Sequence, residues 1–233
     1  MRVLALDAAT EACSVALLQG GEVLLHSLES GKGHAGQLLA LVGKVLAEAQ
    51  LSLSMLDGIA ASVGPGAFSG VRISVAVAQG LAFGADLKAV PVTTLQALAA
   101  QVLPGGDARA VVCLDARMGE VYWGCFAPDA ALGVSEVLRS GVAAPGSVLE
   151  AMAGAPSARY IGIGRGFSAY PVLENIAGLA INADQRRALP SAREIARLGV
   201  LKLRCGGGVD PADLQPLYLR DKVALTEAER AAR

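Results

Sequence analysis

Two αβ units follow one another along this chain, each beginning with strands and hairpins and continuing with helices, and this organisation limits the fold more than any single motif. Three short β-rich runs come first: Val3–Leu6, Ser14–Leu18 and Val23–Ser27. The turn residues Asp7-Ala8-Ala9-Thr10 and Gly20-Gly21 divide them. Leu38, Leu41, Val42, Val45, Leu46 and Ala49 then recur at the spacing of an amphipathic helix that ends near Gln50. A fourth strand over Asp57–Val63 is broken by Gly64-Pro65-Gly66, and a second helix is expected over Ser69–Gly84. Leu87–Val92 is a fifth strand. Thr93, with Gln96 three residues on, then forms a capping box for a third helix. Pro104-Gly105-Gly106-Asp107 interrupts the pattern, and the strands restart. Ala110–Leu114, a turn at Asp115-Ala116-Arg117-Met118-Gly119 and Glu120–Ala127 are followed by a helix over Ser147–Ala153 and a strand over Arg159–Ile163. Ser191 and Glu194 read as a second capping box, opening a helix that ends at Gly206-Gly207-Gly208. A nucleotide-binding Rossmann unit alternates strand and helix from the outset, so it is excluded. The expectation is an α/β chain of two units, 1–104 and 105–214, with the tail 215–233 packing back on the first.

Composition says how such units could pack. Of 233 residues 53% are apolar, yet only 4% are aromatic, while 44 are Ala and 28 are Gly. Small side chains allow elements to approach closely, and a surplus of them also suits a covered protein–protein surface. The greasiest run, Ile73–Ala85, is interrupted by Ser74, Gln79 and Gly80 and is shorter than the roughly 20 residues a bilayer requires. The amino terminus enters a strand pattern at once, without a basic and then apolar leader, so a cytoplasmic protein is expected. Cys13, Cys113, Cys125 and Cys205 form no C-x-x-C pair and read as reduced thiols. The net charge is −1, but the segment from 185 onward carries ten basic and six acidic residues. Arg186, Arg187, Arg193, Arg197, Lys202 and Arg204 there read as a solvated helix face, or as a modest contact with an RNA held elsewhere.

Few motifs carry chemistry. Gly31-Lys32-Gly33 lacks the rest of a phosphate-binding loop, Gly162-Ile163-Gly164-Arg165-Gly166 is half of a dinucleotide fingerprint, and neither H-E-x-x-H nor G-x-S-x-G occurs. With His26 and His34 alone, a peptidase triad has little to draw on. Asp7 and Thr10 could hold a metal–phosphate group at a strand end, or could simply bond within their turn. The loop Gly64, Gly66, Ser69 and Gly70 opening a helix suits an anion and a protein contact equally. His34 has Leu38 one turn later, so no pair of metal-ligating histidines forms. The second helix is apolar on nearly every side, which calls for a cover beyond its own sheet, most simply from a partner chain.

Several segments together resemble the bacterial TsaB (YeaZ) family. They are Leu4-Ala5-Leu6-Asp7-Ala8-Ala9-Thr10, the His34 helix, Gly64-Pro65-Gly66-Ala67-Phe68-Ser69-Gly70-Val71-Arg72, Ala78-Gln79-Gly80-Leu81-Ala82, Asp115-Ala116-Arg117-Met118-Gly119-Glu120-Val121-Tyr122 and Tyr218-Leu219-Arg220. The resemblance implies the actin-like (ASKHA) fold with two βββαβα-type halves. It implies a non-catalytic subunit that pairs with TsaD, the threonylcarbamoyl transferase acting on the adenosine beside the anticodon of ANN-decoding tRNAs. The TsaE ATPase completes that complex. Alone, the chain would pair with itself, and tRNA would be met only indirectly. Carried onto this chain, the partner-binding residues are His34, Leu38, Leu41, Val42, Val45, Phe68, Val71, Arg72, Val75 and Gln79. No intrinsic cofactor is implied, beyond a vestigial nucleotide site at Asp7, Thr10, Gly64, Gly66, Ser69 and Gly70 and room for ATP or ADP at an interface of the complex. Two departures weaken that site. Ala8-Ala9 stand where the family carries hydroxyls, and Ala67 and Ser69 drop one hydroxyl and trim another. The alternative is an ATP-binding enzyme of the same fold, using Asp7 and the Gly64–Gly70 loop.

Overall fold

The computed structural model describes residues 1–29, 34–103 and 106–220, with backbone alone for 34 and 35. The Gly31-Lys32-Gly33 segment, Pro104-Gly105, the tail beyond 220 and the His34 side chain lie outside the described residues.

The first strand, β1 (Arg2–Asp7), shows why the layers form. It is flanked by β2 (Ala12–Gln19), antiparallel, and β4 (Gly58–Ser62), parallel, so both of its faces must be apolar. Leu4 and Leu6 point to one side, Val3 and Ala5 to the other, and all four are fully buried. With β3 (Glu22–Glu29) and β5 (Ala89–Val92) the sheet order is β3-β2-β1-β4-β5. The second sheet repeats it. β6 (Arg109–Arg117), β7 (Glu120–Asp129), β8 (Gly133–Ala143), β9 (Tyr160–Ile163) and β10 (Leu179–Ala180) lie in the order β10-β9-β6-β7-β8. Each half thus has a three-stranded meander, a helical crossover and a parallel strand, the duplicated βββαβα arrangement expected of an actin-like chain. Neither β8 nor β10 is legible from the residues. Only Val134 of β8 is buried, so its strand carries no alternation to detect, and β10 has two residues.

Helices α1 (His34–Glu48) and α2 (Phe68–Gly84) cover the outer face of the first sheet. α4 (Pro145–Ala153) and α5 (Gly166–Ala169) cover the outer face of the second, and α6 (Ala183–Arg187) lies beside β9. Between the sheets lie α3 (Thr94–Val102) and α7 (Ala192–Arg204). The boundary at 104 does not divide the packing. α3, from the first segment, rests on β6, β7, β8 and β9, while α7, from the second, rests on β1, β2, β4 and β5. The two units exchange helices because each inner sheet face needs a cover and the crossing helices supply it. The approach is close: a Cβ built on Gly199 of α7 would lie 2.7 Å from the Ala60 methyl of β4. Small residues serve this close approach in the middle layer, where Ala5, Ala16, Ala60, Ala97, Ala99, Ala110, Ala192 and Ala196 are all fully buried.

The caps confirm one reading and correct another. Thr93 Oγ1 accepts from the Gln96 amide at 3.0 Å and Gln96 Oε1 from the Thr93 amide at 3.2 Å, a complete box. Ser191 Oγ instead accepts from the Arg193 amide, while the Glu194 carboxylate turns to Arg197 at 3.4 Å. α7 thus has a capping serine but no reciprocal box.

Candidate interaction face and interlobe cleft

Two places are candidates for function: the outer surface of α1 and α2, and the cleft between the halves. Toward the sheet, α1 sends Leu38, Leu41, Val42 and Val45, and α2 sends Val71, Ser74, Val75, Ala78 and Ala82. Leu38 and Val45 are 0% exposed, and Val71 and Val75 are 3%. These residues, expected to meet a partner, are internal packing of this chain, because the amphipathic stripe that reveals a helix is the stripe that buries it. Gln79 is committed as well, its Nε2 donating to the Leu214 carbonyl at 3.0 Å.

The opposite side of the two helices is where an interface could form. Leu39, Ala40, Gly43, Lys44 and Ala47 are exposed on α1, and Phe68, Arg72, Ala76, Gly80 and Phe83 on α2. Leu39 is 51% exposed and Phe83 81%, values that leave large apolar side chains open to water. A Cβ built on Gly36, Gly43, Gly80 or Gly84 would meet nothing within 4 Å. The face is apolar, low in charge and studded with small residues, so a facing helix could come close. Phe68 and Arg72, expected to meet a partner, lie on this exposed side. The other outward positions were missed: the small ones leave no periodic signal, and Leu39 and Phe83 lie off the stripe that marks the buried side.

The cleft, about 870 Å³, lies between the 7–10 turn and α2 start on one side and the β6–β7 turn on the other. The Asp7 carboxylate lies beneath it, fully buried, with Oδ1 accepting from Ser62 Oγ at 2.5 Å and the Ala9 amide at 3.1 Å. The glycine loop presses directly onto the turn. The Ala67 amide donates to the Ala9 carbonyl at 2.7 Å, and a Cβ on Gly66 or Gly70 would lie 2.2 Å from the Ala9 oxygen or 2.0 Å from the Ala8 oxygen. The Gly64 carbonyl accepts from the Thr94 amide. The actin-like fold carries an expectation of ATP and magnesium at this place, and these residues do not fit it. Asp7 is turned into the fold, and the glycines give room to carbonyl oxygens, which repel phosphate. Thr10 Oγ1 has no partner among the described residues and Ser69 is exposed, but two hydroxyls do not replace a cradle of amides.

Charged groups cross the cleft instead. Glu11 pairs with Arg165 from one half to the other, and Arg165 Nε also donates to the Arg187 carbonyl. On the other rim the segment 214–220 reaches from α2 to the β6–β7 turn, ending in an Arg220–Glu120 pair at 2.5 Å. Tyr218-Leu219-Arg220 was visible as a family-like segment, but its role was not.

The remaining candidates are accounted for inside the chain. Burial, and then the Asp7 charge beside it, push the Cys13 thiol up to about 11. Burial pushes Cys125 to about 11 and Cys113 upward too, so none is a ready nucleophile. His26 Nε2 lies 2.7 Å from Glu48 on the surface. Among the basic residues near the end, Arg186 pairs with Glu174, Arg197 with Glu194, and Lys202 is held by the Pro91 carbonyl and Gln96. Among the described residues no three His, Cys, Asp or Glu side chains are grouped to hold a metal, and no helix is long and apolar enough to cross a membrane.

The chain is similar to proteins already named. The model of the family described as TsaD, tRNA N6-adenosine threonylcarbamoyltransferase, matches residues 27–225. The tRNA threonylcarbamoyladenosine biosynthesis protein TsaB of Escherichia coli strain K12 is 36% identical over 225 residues, covering 96% of each chain. The protein of that name from Haemophilus influenzae is 32% identical over 233 residues, covering 96% of this chain and 95% of the other. Among solved structures, YeaZ from Pseudomonas aeruginosa superposes with a TM-score of 0.83 at 36% identity, covering 94% of this chain and 99% of that one. A second Pseudomonas aeruginosa structure, described as similar to peptidase YeaZ, gives 0.84 at 37% identity with the same coverage.

Proposed function

The chain belongs to the TsaB family, and from that premise we propose that it is a non-catalytic docking subunit in tRNA threonylcarbamoyladenosine biosynthesis. Its partner is the TsaD-type transferase, with the TsaE-type ATPase joining the pair. A second copy of this chain takes the same face when the transferase is absent. The observation that carries the reading is the outward side of α1 and α2, where Leu39, Phe68 and Phe83 stand exposed among Ala40, Gly43, Ala76 and Gly80. Two features support a role without chemistry of its own. Leu38, where the catalytic relatives carry the second histidine of a metal-binding pair, is fully buried. The Gly64 loop packs on the carbonyls of the Ala8-Ala9 turn, and Asp7 beneath it bonds to Ser62 and the Ala9 amide.

Gly80→Arg tests the proposal, because its Cβ enters open space and the fold has no cause to change. The wild-type chain mixed with the transferase from the same source should form a complex by light scattering and support tRNA modification. Gly80→Arg should weaken pairing ~100-fold or more, since a cation would be trapped in an apolar interface, while the melting temperature holds. Undiminished pairing and activity in that variant would refute the proposal. The ATP-binding alternative is tested by calorimetry of the isolated chain with ATP and magnesium, where no saturable heat is expected.

A further inference from the structure

We propose that segment 214–220 is a strap that clamps the two halves across the cleft and ties the aperture of the cleft to helix α2. Its grip on the first half has four points. Gln79 Nε2 on α2 donates to the Leu214 carbonyl at 3.0 Å, and Leu214 is itself fully buried in the outer core. The Leu217 amide donates to the Val63 carbonyl at 2.7 Å, extending past the end of β4. Arg72 Nε donates to Tyr218 Oη at 2.8 Å, and the Arg72 guanidinium lies 3.7 Å over the Phe68 ring. The strap then crosses to the second half. Arg220 pairs with Glu120 at 2.5 Å, reaches the Arg117 carbonyl at 3.5 Å and lies 5.9 Å over the Tyr122 ring. Arg220 keeps only 13% of its side chain exposed, so this pair is shielded from solvent more than an ordinary surface ion pair.

Seven residues thus bridge two bodies that also meet through the middle helix layer. The opposite rim carries its own cross-link, Glu11–Arg165. At this rim the chain itself spans the gap between the halves. α2 is the element gripped at Arg72 and Gln79, so a displacement of α2 passes through the strap to the β6–β7 turn. This inference does not depend on the identity of any partner.

Spin labels at Glu22→Cys in the first half and Glu150→Cys in the second, both exposed, read the separation of the halves in the isolated full-length chain. A Cys205→Ser background removes the exposed native thiol, and Cys13, Cys113 and Cys125 are buried. The parent should give one narrow distance distribution. Arg220→Gln should broaden or lengthen it, and Gln79→Ala combined with Arg72→Ala should do the same from the α2 side. A thermal melt of each variant verifies that it still unfolds cooperatively. An unchanged distribution in Arg220→Gln overturns the strap. A change in Arg220→Gln but none in the α2 double variant overturns the tie to α2. Loss of transferase pairing in Gly80→Arg bears on the docking proposal alone, because these distances are measured without the transferase.

Discussion

Lys202 is the least comfortable residue in the fold. Its ammonium is packed between α7 and the β5–α3 junction, with the Pro91 carbonyl at 2.7 Å and Gln96 Oε1 at 3.0 Å. Burial lowers it from the usual lysine range to about 8. Between that value and about 10.5 the unfolded chain binds the proton and the folded chain does not, so stability rises with pH across this window. Below pH 8 both states are charged and the full desolvation penalty remains, on the order of 2 kcal/mol after allowance for residual contact with water. Melting curves at pH 7, 8 and 9.5 should show the wild type gaining on Lys202→Met as pH rises. The buried cysteines act in the opposite sense above pH 9, so the comparison with the variant isolates the lysine. Glycines make a second contrast at this scale. Gly70→Ala would drive a methyl into the Ala8 carbonyl, 2.0 Å away, and should lower stability by about 1–3 kcal/mol. Gly80→Ala, ten residues along the same helix, meets open space and should be neutral or up to ~1 kcal/mol stabilising. Thermal melts decide both.

At the scale of the element, α2 divides its labour by face. Val75 is buried against the sheet, so Val75→Glu would place an unpaired charge in the outer core and should cost about 3 kcal/mol or more. Val45→Glu on α1 should do likewise. Both substitutions test folding, and a loss of pairing in either would say nothing about docking. The outward side is free to change without that penalty, which is why Gly80 is the informative position. An all-round apolar helix was legible in the sequence, and so was the burial of one of its sides against the sheet. Which side met the sheet was not, because Ala76, Gly80, Ala78 and Ala82 are nearly interchangeable in a pattern of small residues, and only the contacts with Leu6 and Ile59 across the sheet separate them.

For the whole molecule, the exchange of α3 and α7 between the halves has a cooperative consequence. Residues 1–104 alone would lack α7, leaving Val3, Ala5, Ala60 and Val90 uncovered on the inner face of their sheet. That fragment should fail to show a cooperative melt, while the full chain should unfold in a single calorimetric transition with no separate event for either half. Two resolved transitions, or a stable fragment, would contradict the shared middle layer.

The order of strands and helices, the Thr93 cap, the glycine loop and the family resemblance were legible in the residues, because periodicity, turn chemistry and local hydrogen bonding act over a few positions. The third strand of the second half escaped, since a strand with one buried residue has no period. The tertiary structure alone decided which sheet each inner helix covers, which side of α2 looks outward, that Ser62 donates to Asp7, and that Arg220 crosses the cleft to Glu120. Each of these joins residues 55 to 100 positions or more apart. Such partners are chosen by the packing of the entire chain, and no local run of sequence contains that information.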